Sequence, residues 1–330
     1  MHGDTPGYLP KFIYGQLFTR LPKPTRSFAG RTVIITGSDS GLGFEAARHI
    51  LKLRAAKLIM AVPSTRKGQK AKSLLIKTTR CKPSVIEVWP LDLSSYDSVK
   101  AFSARATTEL DRIDVLLQNA SVSSHDWSIA EDNEQMITVN VVSTILLAFL
   151  LLPKLRETAN KHSTRPNLTF VVSDAHMFID FPEKDAPEGI FNHLKDKSKA
   201  KMNDRYALSK MIEIFAVREM TELRPREEYP VTINMLNPGL CESDLVREGG
   251  NLQMKMLKKA LARTTEEGSR TLVHGASAGA DTHSHYLSNC QVCPTASLVH
   301  GPEGAVVQKR LWNELMAKLE MIQAGVTGKL

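Results

Sequence analysis

Thr32-Val33-Ile34-Ile35-Thr36-Gly37-Ser38-Asp39-Ser40-Gly41-Leu42-Gly43-Phe44 is the stretch on which the fold turns. Val33, Ile34 and Ile35 are successive β-branched residues, the pattern of a parallel strand buried on both faces. Gly37, Gly41 and Gly43 follow at once. Residues 44–53 then read as a helix with Ala46, Ala47, Ile50 and Leu51 on one face. Strand, glycine turn and helix in this order make a phosphate-binding arrangement. Glycines let the backbone turn tightly and approach a ligand, and the helix N-terminus offers free N–H groups and the positive end of its dipole. The spacing is Thr-Gly-x-x-x-Gly-x-Gly rather than Gly-x-Gly-x-x-Gly, and its context is the one the mechanism requires. Thr36, Gly37, Ser38, Gly41, Leu42 and Gly43 are therefore the candidate nucleotide-phosphate residues.

Outward from this turn, strand and helix alternate. Strands are expected at 58–62, 85–89, 113–117, 168–172 and 231–236, after the first at Val33–Ile35. Helices are expected at 66–79, 94–110, 133–152 and 205–223, the third of these stopped by Pro153. Such alternation implies right-handed crossovers and a doubly wound parallel sheet, an α/β fold of Rossmann type in a single domain. Residues 1–30, with Pro6, Pro10, Pro22 and Pro24, form an N-terminal arm. In it Phe12, Ile13, Leu17 and Phe18 make a short apolar helical face, for packing on the domain or for a membrane or partner contact. Residues 31–330 form the dinucleotide-binding domain.

The chain has 330 residues and a net charge of +8. Its basic residues are scattered, without an RNA-binding or helix-turn-helix pattern, so the expectation is no nucleic acid and one polyphosphate cofactor. Cys81, Cys241, Cys290 and Cys293 are too few for a disulfide scaffold, and Cys290-x-x-Cys293 lacks further ligands at zinc spacing, so no metal is expected. No secretory signal is visible. The longest apolar run, 145–152, falls far short of the ~20 residues of a spanning helix. A reduced, cytoplasmic chain is expected. Asn167-Leu168-Thr169 matches a glycosylation acceptor but lies in an expected strand.

Ligands of such sheets bind beyond the carboxyl ends of the strands. That rule selects the glycine turn, the residues after Val62, Asp92, Asn119, Ser173 and Asn237-Pro238-Gly239. Tyr206 and Lys210 lie four apart on an expected helix and share a face. An ammonium beside a phenol favours the phenolate, so Tyr206 is expected to have a lowered pKa and to exchange a proton with a carbinol oxygen.

With these motifs in order, the chain resembles the short-chain dehydrogenase/reductase family from about Arg31 to Gly239 and more loosely to the C-terminus. Thr36-Gly37-x-x-x-Gly41-x-Gly43, Asp92, Asn119-Ala120, Asn140, Ser173, Tyr206-x-x-x-Lys210 and Pro238-Gly239 carry the resemblance. The N-terminal arm, Ser173-Asp174-Ala175-His176 and Tyr286-Leu287-Ser288-Asn289-Cys290 are similar to fungal members found in secondary-metabolite pathways. The resemblance implies that Tyr206 is the general acid/base and that Lys210 lowers its pKa and holds the nicotinamide ribose. Ser173 would stabilise the reacting oxygen, and Asn140 would hold a relay water. Asp92 would contact adenine, Asn119 would lie near the adenine-side ribose, and Ser243 would meet the nicotinamide amide and phosphate. A homodimer through the long helix is implied as well. His176 reads as a substrate contact or a plain surface residue.

Two departures stand out. Pro63 replaces an arginine that in many relatives meets the adenosine 2′-phosphate. Arg66 and Lys67 follow closely as substitutes, and no acid directly follows Val62 to receive a free 2′-hydroxyl, so NADP is expected, with NAD the alternative. Ser121 stands where relatives usually have glycine, and a serine tolerates positive φ poorly. Substrate contacts are expected from the insertion 178–203, with Phe181, Phe191 and several lysines. A lid over about 240–265, with Leu252, Met254, Met256, Leu257 and Leu261, would suit a bulky apolar substrate. Thr264 and Glu267 match a capping box. The expected activity is NADP-dependent interconversion of a ketone and a secondary alcohol on a small-molecule metabolite. Its rivals are a non-catalytic NADP-binding sensor or scaffold and a related lyase or epimerase.

Overall fold

The structure is a computed structural model and describes residues 4–242 and 261–330. In chain order it contains α1 (Thr5–Phe18), β1 (Thr32–Thr36), α2 (Gly41–Lys52), β2 (Lys57–Val62), α3 (Thr65–Thr79), β3 (Ile86–Pro90), α4 (Tyr96–Glu109) and β4 (Val115–Gln118). There follow α5 (Thr144–His162), β5 (Asn167–Val171), α6 (Met202–Glu222), β6 (Thr232–Asn237), α7 (Thr265–Ser277), β7 (Tyr286–Ser288), β8 (Gln291–Cys293) and α8 (Pro302–Ile322). The sheet runs β8-β7-β6-β5-β4-β1-β2-β3, and every neighbouring pair is parallel except β7–β8. The order reverses at β1, the switch point where doubly wound sheets bind ligands.

Strand residues alternate between two cores. Ile34, Ile59, Leu116, Leu168 and Phe170 face α4, α5 and α6. Val33, Ile35, Leu58, Met60, Val115 and Leu117 face α2, α3 and α7. Apolar character on both faces is what turned the β1 sequence into a continuous hydrophobic run. Asn167 is buried in β5 with its amide bonded to the Ala278 carbonyl, so the glycosylation match lies inside the fold.

The long helix departs from expectation at both ends. Asn133 and Glu134 belong to a small antiparallel hairpin with Ile129–Ala130, and Glu134 caps the short turn Gln135–Ile137. A π-helical turn, Thr138–Ser143, leads into α5. Pro153 does not stop α5, which continues to His162. The proline is on the solvent side, while Leu155, Thr158 and Ala159 beyond it are buried. Their burial offsets the ~3 kcal/mol that an interior proline costs.

The hairpin and the last helix after β6 were not foreseen. β7 and β8 form a hairpin whose two turn residues, Asn289 and Cys290, have φ of 51° and 62°, the requirement of a type I′ turn. Cys290-x-x-Cys293 thus spans a hairpin, and both thiols are free. α8 packs over α5 and α6, with Trp312 against Phe149 and Glu219 bonded to Gln308 and Lys309. The insertion 178–203 is fastened to α8 rather than left as substrate surface. Phe181 and Phe191 are buried, Arg310 bonds the Lys184 and Ala186 carbonyls, and Glu314 accepts from the Phe191 amide. Among the described residues one helical run, Gln135–His162, is long and apolar enough to cross a membrane, and it is mostly buried inside the molecule.

Candidate active site

The glycine turn is a tightly stitched object. Thr36 Oγ1 accepts from the amides of Asn119 and Ala120, at 3.0 and 2.9 Å. The Asn119 side-chain amide donates to the carbonyls of Thr36 and Gly37, at 2.9 and 3.1 Å. Asn119 therefore fixes the turn to the end of β4. Gly37 and Gly41 have φ of +65° and +57°, which glycine adopts without strain. Gly43 is required for space: a Cβ there would lie 2.4 Å from the Gly37 carbonyl oxygen. Ser38 is fully buried and its hydroxyl donates to the Ile35 carbonyl, so its side chain is spent inside the turn. Leu42 is half-buried at the start of α2.

The start of α2 fits an anion. Helices α3, α4 and α7 begin with a side-chain cap, from Ser64, Ser95 and Thr264 respectively. Ser40, the corresponding residue of α2, makes no such bond, and no acid occupies the first turn. Its first amides remain available, and the space beside Gly41 is open to 4 Å. Thr264 accepts from the Glu267 amide, which is one of the two bonds of the expected capping box.

Arg66 and Lys67 are exposed in the first turn of α3, directly beyond β2, and neither is ion-paired among the described residues. Asp92 is exposed beyond β3, where its carboxylate holds the Ser94 amide and hydroxyl. Ser121 does not have positive φ, so the glycine of relatives is not demanded at this position. Ser243 and most of the expected lid lie outside the described residues.

Ser173 follows β5, and Tyr206 and Lys210 project from the second and third turns of α6. Ser173 interacts with the Tyr206 hydroxyl. The expected lowering of the Tyr206 pKa is reversed: burial raises it, Lys210 and Ser173 pull it down, and Glu213 and Asp174 push it further up. Lys210 is 1 % exposed. Its ammonium donates to the Val171 carbonyl at 2.8 Å and to Glu213 Oε2 at 2.9 Å. Burial pushes the Glu213 carboxyl up while Lys210 opposes it.

Asn140 is buried in the π turn. Its Oδ1 accepts from the Val122 amide, and its Nδ2 donates to the Val122 carbonyl and to Ser209 Oγ. The Ser209 hydroxyl in turn donates to the Tyr206 carbonyl at 2.7 Å. The Asn140 side chain thus ties the loop after β4 to α6.

His176 is neither a surface residue nor a substrate contact. It is fully buried, with Nδ1 2.6 Å from the Ser173 carbonyl and Nε2 accepting from the Ala296 amide. One donor and one acceptor define a neutral ring, and burial lowers its pKa to about 4. Asp174, also buried, has its carboxyl pushed up to about 6 by desolvation.

Helix α1 docks beside these groups. Tyr8 donates to Asp174 Oδ2 at 3.4 Å, and Tyr8 and Phe12 pack edge-on against Phe178. The Gln16 side chain donates to the carbonyls of Leu240 and Leu261 and accepts from the Leu240 amide. Arg263 bonds the Gly15 and Thr19 carbonyls at the end of α1. Leu9, Ile13, Tyr14, Leu17 and Phe18 remain exposed on its other face. Tyr8, Gln16, Arg263 and Glu213 escaped sequence reasoning, and Asp174 entered only within the stretch Ser173–His176. For Glu213 alone a signal existed, an acid one helical turn beyond Lys210.

Residues 31–173 match the family model for short chain dehydrogenase. The short chain dehydrogenase/reductase dmxR8 of Cryptosporiopsis sp. (strain 8999) is 49 % identical, over 96 % of this chain and 98 % of its own. The short-chain dehydrogenase anuD of Penicillium roqueforti (strain FM164) is 39 % identical, over 98 % of this chain and 89 % of its own. NADPH-bound carbonyl reductase from chicken fatty liver shares the fold, with a TM-score of 0.59 and 16 % identity over 86 % of this chain and 98 % of that one. The class is that of the NAD(P)-dependent oxidoreductases. The chain belongs to the short-chain dehydrogenase/reductase family, and the relatives named are fungal for both sequences.

Proposed function

We propose that this protein is an NADP-dependent oxidoreductase that interconverts a ketone and a secondary alcohol on a bulky metabolite, in a secondary-metabolite pathway of the cytoplasm. The observation that carries this reading is the convergence of Ser173 and Tyr206, with Lys210 one turn further along α6, at the carboxyl end of β5. The uncapped start of α2 nearby supports a dinucleotide.

In this reading Thr36, Gly37, Ser38, Gly41, Leu42 and Gly43 form the pyrophosphate turn, Asp92 and Asn119 flank the adenosine, and Ser243 serves the nicotinamide end. Arg66 and Lys67 would meet the 2′-phosphate, since two unpaired cations and no acid follow β2. The reduced nicotinamide, when bound, supplies the hydride that becomes the new C–H bond. Tyr206 gives its proton to the carbonyl oxygen, Ser173 donates a hydrogen bond to the same oxygen as charge develops on it, and the phenolate recovers a proton from solvent. Lys210 would hold the ribose and favour the phenolate, and Asn140 would hold the relay water. Residues of the 240–265 segment would form the substrate lid of the 31–330 domain, which follows the 1–30 arm in the chain.

The test is fluorescence titration with NADPH and NADH, followed by a screen of bulky ketones with NADPH. Expected are tighter binding of NADPH, loss of that preference in Arg66→Ala/Lys67→Ala, and formation of the alcohol. Tyr206→Phe should lower turnover by about 10²–10⁴-fold and leave NADPH binding in place. NADPH binding without turnover on any ketone would favour the scaffold reading, and unchanged turnover in Tyr206→Phe would remove Tyr206 as the acid/base.

A further inference from the structure

Glu213 is a buried carboxylate that the proposed reaction does not use. It lies three residues after Lys210 on α6, so the two side chains share a face. Each is 1 % exposed, and Glu213 Oε2 is 2.9 Å from Lys210 Nζ. A second proton of the ammonium is held by the Val171 carbonyl at 2.8 Å. The cation is thus tethered on its sheet side by an acceptor and a counter-charge. Replacing a buried ion pair by well-packed apolar side chains is often neutral or stabilising for a fold. A buried acid next to a lysine that serves the site therefore calls for another account.

That account lies in the charges facing Tyr206. From its own helix come the Lys210 ammonium and the Glu213 carboxylate. From the segment after β5 come the Ser173 hydroxyl and the Asp174 carboxyl. Asp174 itself is met by Tyr8 from α1, by Asn237 from the end of β6 and by the charge of Arg263. One cation thus faces two carboxyl groups, and the cation is itself paired with one of them.

We propose that Glu213 is a positioning residue that anchors the Lys210 ammonium and offsets its field at Tyr206, so that the phenol stays protonated at neutral pH and the site is poised to donate a proton to a carbonyl. The inference deepens the reading of Tyr206 as acid/base and rests on it. It assigns carbonyl reduction as the direction that the site favours near neutrality, with alcohol oxidation requiring a more alkaline medium. The proton balance is that of the reduction already described: Tyr206 gives one proton to the carbonyl oxygen and recovers one from solvent.

The experiment needs neither substrate nor cofactor. The full chain is labelled with ¹³Cζ-tyrosine, the Tyr206 resonance is assigned from its loss in Tyr206→Phe, and its ionisation is followed with pH. In Glu213→Gln the midpoint should fall by about one pH unit or more, the scale of an unopposed neighbouring charge. In Lys210→Met it should rise. Glu213→Leu serves as the second variant, filling the space without a polar group, and should lower the midpoint in the same sense. Midpoints in Glu213→Gln and Glu213→Leu that stay at or above the wild-type value, or a Tyr206 that fails to ionise in either before alkaline unfolding, would overturn the proposal. Retained turnover in Tyr206→Phe would instead strike the acid/base reading, so the two failures are distinguishable.

Discussion

Gly41 and Gly43 sit two residues apart in one turn, yet a methyl group would be felt differently at each. At Gly41 the surrounding space is open and only its φ of +57° opposes a side chain, a cost of roughly 1–2 kcal/mol. At Gly43 a Cβ would meet the Gly37 carbonyl oxygen at 2.4 Å and Asn119 Nδ2 at 2.6 Å. Both contacts belong to the stitching of the turn, and neither atom is the loose end of a flexible side chain. Gly43→Ala should therefore destabilise the protein more than Gly41→Ala in urea unfolding, and should weaken NADPH binding more in the same fluorescence titration. Equal effects would show that the backbone of the turn yields more readily than its hydrogen bonds imply. The same reasoning explains Asn119: its amide is spent on the Thr36 and Gly37 carbonyls, so its influence on a nucleotide runs through the shape of the turn.

Among the elements, α1 alters the picture of the site most. Gln16 closes three hydrogen bonds across 224 and 245 residues of sequence, to Leu240 and to Leu261. Gly239, with φ of +77°, makes room for it: a Cβ there would lie 2.4 Å from Gln16 Oε1. Gln16→Ala leaves the part-buried Leu261 carbonyl and Leu240 amide without this partner, while the Leu240 carbonyl keeps the Arg263 amide, a loss of about 1 kcal/mol. It should also speed hydrogen exchange at the Leu240 amide while leaving that of the β1 and β4 amides unchanged. Unaltered exchange at Leu240 would mean that α1 rests on the domain without holding this segment. Arg263, bonded to the last carbonyls of α1, adds a cation at the negative end of that helix dipole.

For the molecule as a whole, two buried groups set opposing pH dependences. His176 has a folded pKa near 4, below its ordinary value, so folding disfavours its protonated form. Its contribution is intact above pH 6.5 and is lost as the pH falls through 4. Asp174 has a folded pKa near 6, above its ordinary 3.8, so folding disfavours its carboxylate. Its penalty is full above pH 6 and is relieved as the pH falls towards 3.8. Between pH 6 and 4 the two slopes oppose each other. Asp174→Asn removes one of them, and unfolding free energy should then drop with acidification more steeply than in wild type, by about 1 kcal/mol per pH unit at most. Equal slopes for the two proteins in urea titrations at pH 4.5, 5.5 and 6.5 would show that Asp174 does not titrate in this window. The second prediction at this scale concerns assembly. α8 covers α5 and α6 from within the chain, with Trp312 on Phe149 and Gln308 on Glu219. Light scattering tests the expected homodimer: twice 36.6 kDa is the mass if the long helix pairs with a second copy, and 36.6 kDa would strike that expectation.

The sequence by itself determined the sheet as far as β6 and the order of its motifs, because each strand is short, β-branched and apolar on both faces, and each turn carries its own glycine, serine or asparagine. Those are local signals, read over a few residues. The rule that ligands sit beyond the strand carboxyl ends selected Ser173, the i, i+4 spacing selected Tyr206 and Lys210, and the family resemblance joined the three. What the sequence left open depended on partners distant along the chain. Pro153 looked like a helix stop until the burial of Leu155 and Ala159 outweighed it. The spacing of Tyr206 and Lys210 suggested a lowered phenol pKa, whereas burial and the carboxyl groups of Glu213 and Asp174 raise it. His176 and the aromatic residues of the insertion looked available to substrate until the tertiary structure enclosed them. The position of α1 rests on single contacts between residues more than 160 apart, and no periodicity encodes such contacts. Desolvation and long-range pairing are properties of the packed molecule, and only the packed molecule decided them.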